Sequence, residues 1–251
     1  MMCRPGDDSI LLLRSRGGRK QGGELPKMMT KPKRELEVVV VANGEFRHPA
    51  RLMQLVDGAD LVVAADGGAN WLASQGRLPD LLVGDMDSVS SGVLQAMKDR
   101  GRRLLNHSPR KDETDTELAL LEAAAAGATR ITVLGALGGR IDHTLANVLF
   151  LLMPQLEGIE TIIFDGCSYL FVVRRNGEIR GQVGDLVSLI PLGGDAGGII
   201  TEGLEYPLHD ETLHIGAARG ISNVLTRPKA RIAVGWGNLL VVHTPRRYLE
   251  S

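Results

Sequence analysis

Asp85 and Asp87 stand two residues apart in the block Gly84-Asp85-Met86-Asp87-Ser88, directly after the apolar run 81–83. In an extended exit from a strand, that spacing sends both carboxylates to the same side. Such a pair of hard oxygen donors suits Mg²⁺, which keeps several waters and shares its remaining positions with substrate phosphates. Asp66 occupies a comparable place in Asp66-Gly67-Gly68-Ala69-Asn70 after the run 61–65, and Asp142 in Gly138-Gly139-Arg140-Ile141-Asp142-His143 after 131–134. Any one of these aspartates is as well explained by a turn or a helix cap. Four or five of them at the ends of successive apolar runs favour one shared site for a polyanion and a metal.

A further acidic block, Lys111-Asp112-Glu113-Thr114-Asp115-Thr116-Glu117, precedes the apolar run 118–121. Thr114 and Glu117 have the spacing of a capping box, which predicts a helix starting at Asp115. Asp112 and Asp115 are not needed for that box. They lie at the helix mouth beside Lys111, placed for metal and phosphate respectively. Arg140 can reach phosphate, because a planar guanidinium matches phosphate oxygens and stays charged. Asp142 is expected to cap a helix beginning at His143.

The elements that must position these residues follow from the pattern of apolar runs. Short Val-, Ile- and Leu-rich segments at 38–42, 61–65, 81–83, 131–134 and 161–164 read as buried strands. Helical segments at 49–56, 69–75, 92–100, 115–126 and 143–156 alternate with them. This grammar predicts an α/β, Rossmann-like parallel sheet covered on both faces, with ligands bound beyond the carboxyl ends of the strands. After Gly166 the pattern changes to short strands at 169–173, 178–182, 186–191, 198–201, 213–215, 231–234 and 239–243, separated by glycine-rich turns. That is the signature of an all-β sandwich or barrel. The expected division is an extension at 1–35, an α/β domain at 36–166 and a β domain at 167–251.

Composition excludes several other classes. The chain of 251 residues has 29 basic and 30 acidic side chains, so its formal net charge of -1 gives no general support for nucleic-acid binding. Residues 1–36 hold nine of the basic and four of the acidic groups, which leaves a net-acidic body of 20 basic against 26 acidic. The segment 1–35 reads as a disordered basic leader or an overlong translation start, with the true one near Met28 or Met29. No apolar stretch approaches the roughly 20 residues that cross a bilayer. Two cysteines, Cys3 and Cys167, make neither a disulfide framework nor a zinc finger. There is no phosphate-loop motif, dinucleotide fingerprint, nucleophile elbow or His-Glu-x-x-His.

The blocks in their order resemble the thiamine pyrophosphokinase family from about residue 38 to 242. Those that carry the likeness are Asp66 to Asn70, Gly84 to Ser88, Lys111 to Asp115, Gly138 to His143 and Leu145-Ala146-Asn147. Gly184 to Leu192, Thr201 to Leu208 and Gly220 to Asn223 continue it in the β region. The resemblance implies an α/β domain followed by a β-sandwich, and a homodimer with its active site between subunits. It also implies transfer of pyrophosphate from ATP to the hydroxyl of thiamine, with release of AMP. Asp85, Asp87 and Asp112 would then hold Mg²⁺. Asp66, Asn70, Ser88, Thr114, Asp115, Arg140, Asp142 and His143 would line the ATP site, with Lys111 adding positive charge. Ser222 and Asn223 would contact the thiamine pyrimidine, with Tyr206 nearby. Asp112 and Asp115 both remain candidates for the base that takes the hydroxyl proton. A cytoplasmic location is expected. A metal-dependent nucleotide pyrophosphohydrolase and a non-catalytic thiamine- or nucleotide-binding regulator are the alternatives.

Overall fold

The structure, a computed structural model, describes residues 35–108 and 110–249. The expectations for the leader at 1–35, Glu35 aside, and for Cys3 therefore lie outside the described residues. Among the described residues, no helix is long and apolar enough to cross a membrane. The backbone divides into two compact units between Phe171 and Val172.

The first unit alternates strands and helices: β1 (Glu37–Val41), α1 (Pro49–Gly58), β2 (Leu61–Ala65), α2 (Gly68–Ser74), β3 (Leu81–Gly84) and α3 (Ser91–Asp99). It continues with β4 (Arg103–Asn106), α4 (Asp115–Ala125), β5 (Arg130–Leu134), α5 (Ile141–Phe150), β6 (Glu160–Phe164) and β7 (Tyr169–Val173). The strands form a mixed sheet with a parallel core in the order β4-β3-β2-β1-β5-β6, and β7 returns antiparallel on β6. β1 and β2 are apolar on both faces and buried over four of their five residues, as a sheet covered on both sides requires. Leu52 and Val56 of α1, Leu72 of α2 and Met97 of α3 pack with Val39, Val62 and Phe164 in one core.

β1 pairs with β2 on one side and β5 on the other, so the chain changes direction across the sheet between β1 and β5. A crevice opens at such a switch point.

Three points of the sequence reading need correction here. β4 escapes the sequence pattern because it is an edge strand, Arg-Leu-Leu-Asn, with no fully buried residue. The last helix stops at Phe150 instead of running to residue 156, and Pro154, which has no N–H to donate, opens a separate 3-10 turn at Pro154–Leu156. Its N-cap is Arg140, so Asp142 sits in the first turn instead of capping. A carboxylate there is favoured by the positive end of the helix dipole.

The second unit contains β8 (Asn176–Arg180), β9 (Leu186–Pro191), β10 (Ala196–Glu202), β11 (His209–Leu213), β12 (Asn223–Val224), β13 (Lys229–Ala233) and β14 (Leu239–Thr244). Antiparallel pairing gives the order β12-β9-β14 in one group and β11-β10-β13-β8 in the other. β8 ends at Arg180, not 182, because the chain turns there and the Asp185 carboxylate accepts from Gln182 N at 2.9 Å. β11 occupies 209–213 instead of 213–215. Its sequence, His-Asp-Glu-Thr-Leu, is too polar to read as a strand, and Ile215 N is drawn to Asp195 Oδ1 at 2.8 Å.

Buried Asp185 ties the unit together, since it also accepts from His243 Nε2 and Arg246 N, each at 2.9 Å. Burial holds the His243 imidazole below its ordinary 6.5, with Asp185 pulling the other way. The folded chain thus resists a proton that the unfolded chain accepts. This stability contribution is complete above about 6.5 and falls away as pH drops through the folded value. Urea unfolding midpoints should therefore decline from pH 7.5 to 5.5, and His243→Gln should flatten that decline. An equally steep profile in the variant would refute the assignment.

Candidate active site

Four loops converge beyond the carboxyl ends of β1, β2, β3 and β5, around a cleft of about 410 Å³. Asn43 and Gly44 follow β1, Asp66 follows β2, Asp85 to Ser88 follow β3, and Gly135 to Gly138 follow β5. Thr114 and Asp115 at the start of α4 and Arg140, His143 and Asn147 around α5 complete the wall.

Asp66 is the most constrained of these residues. It is buried, and its φ of 42° lies in the left-handed region. Its carboxyl is held above the usual carboxylate range chiefly by burial. The charges of Asp115 and Asp87 add to that shift, while the Ser88 hydroxyl and the Gly67 amide oppose it. Among the described residues, Asp66 Oδ1 is buried with no hydrogen-bond partner. Oxygens of Asp66, Asp85 and Asp87 lie within 4.8 Å of one another, the one such acidic group among the described residues.

Local geometry explains this gathering. Ala65 is paired with Val83, which sets the ends of β2 and β3 side by side. Gly84, at φ 147°, then leaves room for two carboxylates, because a Cβ there would lie 3.1 Å from both the Asp66 Cβ and the Asp115 carboxyl carbon. The β3 exit is held as a tight turn: Asp87 N donates to Asp85 Oδ1 at 3.2 Å and the Ser88 hydroxyl to Asp87 Oδ1 at 2.9 Å. Thr114 caps α4, accepting from Glu117 N at 3.2 Å as the capping-box reading requires. Lys111 forms an ion pair with Asp115.

Of the residues singled out from sequence, Asp66, Asp85, Asp87, Ser88, Thr114, Asp115, Arg140 and His143 line the cleft. The others stand differently. Asp112 is exposed and is not among the lining residues; Asp66 takes its place beside Asp85 and Asp87. Asn70 braces the β3 exit loop from outside, donating to Ser88 O at 2.7 Å and accepting from Ser90 N at 2.9 Å. Lys111 reaches the site through Asp115. Arg140 and Asp142 pair with each other at the exposed rim, Nε to Oδ1 at 3.1 Å, which lowers the Asp142 carboxyl to about 2.

In the second unit, Ser222 has φ 57° and donates its N–H to Ser188 Oγ at 3.0 Å. Asn223 is buried and Tyr206 exposed.

Sequence reasoning missed Asn43, Gly44 and Asn147 as lining residues. The first two follow the run 38–42 in the same strand-then-glycine grammar that marked Asp66 and Asp85. Buried Asn147 donates to Ala136 O at 2.7 Å, and Thr144 Oγ1 to Gly138 O at 3.3 Å, so α5 holds the glycine loop in place.

An acidic, glycine-lined cleft at the switch point of a parallel sheet defines a class: α/β proteins whose ligand crevice lies outside the carboxyl ends of the strands. Comparison with known proteins narrows it. Residues 52–163 match the thiamin pyrophosphokinase catalytic domain, and residues 174–239 match the thiamin pyrophosphokinase vitamin B1 binding domain. The chain is 31% identical over 220 residues to thiamine pyrophosphokinase 1 of Oryza sativa subsp. japonica, covering 77% of this chain and 82% of that protein. It is 25% identical over 207 residues to the thiamine pyrophosphokinase of Bacillus subtilis, covering 82% and 97%. The crystal structure of the Bacillus subtilis protein superposes with a TM-score of 0.75 at 24% identity, over 83% of this chain and 99% of that one. The thiamin pyrophosphokinase of Candida albicans gives 0.73 at 17% identity, over 84% and 89%. The likeness to the solved structures shows the shared fold. The chain belongs to the thiamin pyrophosphokinase family, which are transferase enzymes.

Proposed function

We propose that the protein is a Mg²⁺-dependent thiamine diphosphokinase that moves the pyrophosphoryl group of ATP to thiamine, giving thiamine diphosphate and AMP. The observation that carries this reading is the buried Asp66 Oδ1, without a partner among the described residues, beside Asp85 and Asp87 at the cleft. An all-oxygen donor set with a starved buried lone pair fits a small hard cation better than a turn or cap does. Asp66, Asp85 and Asp87 would hold the ion, and Asp112 keeps no part in it. When bound, Mg²⁺ would neutralise charge on the triphosphate oxygens.

The remaining work falls to the chain itself. The thiamine hydroxyl oxygen forms a bond to the β-phosphorus while the bond from that phosphorus to the oxygen of the α-phosphate breaks. AMP departs with the electron pair. Such a step requires in-line positioning and charge stabilisation more than covalent help. Thr114, Ser88 and the glycine loop after β5 supply polar contacts for ATP. Arg140 and His143 approach from the α5 side, with Asp142 orienting Arg140 and Asn70 bracing the loop of Ser88. Asp115 lines the cleft and Asp112 does not, so Asp115 is assigned the hydroxyl proton, with Lys111 setting its orientation.

The division of labour we propose is an α/β catalytic domain at 36–166 and a β-sandwich thiamine-binding domain at 167–251, with Ser222, Asn223 and Tyr206 forming the thiamine end. A cytoplasmic homodimer with its active site at the subunit interface completes the reading. Its support is a stripe on α5: Ile141, Leu145 and Leu149 are four residues apart and 76%, 60% and 51% exposed. Apolar faces of this kind mark association surfaces. Light scattering should give the mass of two chains, and Leu145→Glu should give that of one; a monomeric wild type would refute it.

The central test supplies ATP, Mg²⁺ and thiamine to purified protein and measures both products. AMP and thiamine diphosphate should appear in equal amounts. AMP formed at the same rate without thiamine would overturn the transferase reading in favour of a hydrolase.

A further inference from the structure

Resting on the reading of a thiamine end in the second unit, we infer that Asn223 is a positioning residue that acts on thiamine through Tyr206, not a group that binds the vitamin itself. The amide of Asn223 is engaged almost entirely within the protein. Oδ1 accepts from Tyr206 N at 3.0 Å and from Val224 N at 2.9 Å, while Nδ2 donates to Tyr206 O at 2.7 Å. Only 3% of the residue is exposed. One Nδ2 hydrogen is its remaining capacity. A ligand polar group outside the fold has almost nothing left to address.

The pairing has a specific form. One side-chain amide answers both the N–H and the C=O of a single residue, as a strand partner would. Its target is Tyr206, whose side chain is 57% exposed in the loop between β10 and β11. The rest of that loop is stitched by other bonds. Thr226 N donates to Gly203 O at 3.0 Å, Glu205 N to Val224 O at 2.9 Å, and Leu208 N to Thr201 Oγ1 at 2.8 Å. Both hydrogen-bonding groups of the Tyr206 backbone are thus met by Asn223, while residues on either side are held independently. Losing the amide would free the tyrosine without undoing the loop.

Thiamine carries a permanent positive charge on its thiazolium ring and a flat aminopyrimidine. An exposed aromatic ring held at a set angle suits either, by stacking or by attraction of the cation to the ring face. A ring allowed to swing must be ordered on binding, which weakens affinity.

Thiamine binding should be measured by calorimetry, with steady-state constants, for Asn223→Ala, Tyr206→Ala and the double variant of the full chain. Asn223→Ala should weaken thiamine binding and raise its KM about tenfold, with the KM for ATP unchanged. Tyr206→Ala should do at least as much. The double variant should be no worse than Tyr206→Ala alone, because the amide has nothing left to position. Multiplicative losses would overturn the inference, as they would mean Asn223 touches thiamine independently. No loss in Tyr206→Ala would also overturn it, while leaving the kinase reading intact if the wild type still makes thiamine diphosphate. A wild type that makes none would end both. If Asn223→Ala fails to fold, Asn223→Asp serves. It keeps the acceptor for Tyr206 N and Val224 N but sets a carboxylate oxygen against Tyr206 O in place of the donor, so the tyrosine is released and the same non-additivity is expected.

Discussion

Asp87→Asn should fold as the wild type does and lose activity by about a hundredfold or more. The substitution keeps the shape of the side chain and an oxygen that can accept from the Ser88 hydroxyl, so the β3 exit turn has no reason to open. What disappears is one negative charge from the group of Asp66, Asp85 and Asp87. Without cation, that loss relieves Asp66, whose carboxyl is raised first by burial and then by the charges of Asp115 and Asp87. The melting temperature should therefore hold or rise slightly when no divalent ion is added. With cation, the same change removes a donor from the pocket. Calorimetric titration with Mg²⁺ or Mn²⁺ should show weaker binding beside the rate loss. Turnover near that of the wild type would remove Asp87 from the metal site.

Gly44→Ala should damage both stability and catalysis, for a reason unconnected with a special backbone angle. A Cβ at Gly44 would lie 2.4 Å from Leu137 O and 2.5 Å from Gly135 O, both main-chain atoms. Neither can rotate away as a side chain would. Gly44 N meanwhile donates to Gly135 O at 2.7 Å and Glu45 N to Leu137 O at 2.8 Å, so the loops after β1 and β5 are bonded at the point of collision. Forcing them apart costs about 1–3 kcal/mol as overpacking. It also displaces the glycine loop at the switch point, and misplacement on the scale of 1 Å can cost about a hundredfold in rate. Gly92→Ala on α3 is the control, since among the described residues nothing beyond its chain neighbours and its own helix backbone lies within 4 Å of the added carbon. It should keep full activity and gain slightly in helix stability. A Gly44→Ala enzyme as active as that control would show the cleft does not depend on the close approach.

The contrast between what was readable and what was not follows one physical line. β1 and β2 announce themselves because a strand buried on both faces must be apolar throughout, whereas β4 and β11 lie at sheet edges and carry the polar residues that edges tolerate. Asp85 and Asp87 are readable as a pair from their spacing, but the extended exit assumed for them is in fact a tight turn, with Met86 at φ 67° and Asp87 N bonded back to Asp85 Oδ1. Thr114 and Glu117 are readable because a helix cap is a local contract. Asn43 and Gly44 were within reach of the same grammar. Their importance, however, lies in contact with residues 135–137, far along the chain.

The sequence by itself determined the order of elements apart from β4 and β12, the family, and the gathering of aspartates at strand ends, since all three depend on residue type and short-range spacing. Only the tertiary structure decided which aspartates meet. The pairing of β2 with β3 and the bare backbone of Gly84 bring Asp66 to Asp85 and Asp87, and leave Asp112 outside. The fold likewise engages the Asn223 amide with both backbone polar groups of Tyr206, because a side chain's partners across 17 residues are set by register and packing. Spacing along the chain carries no record of either.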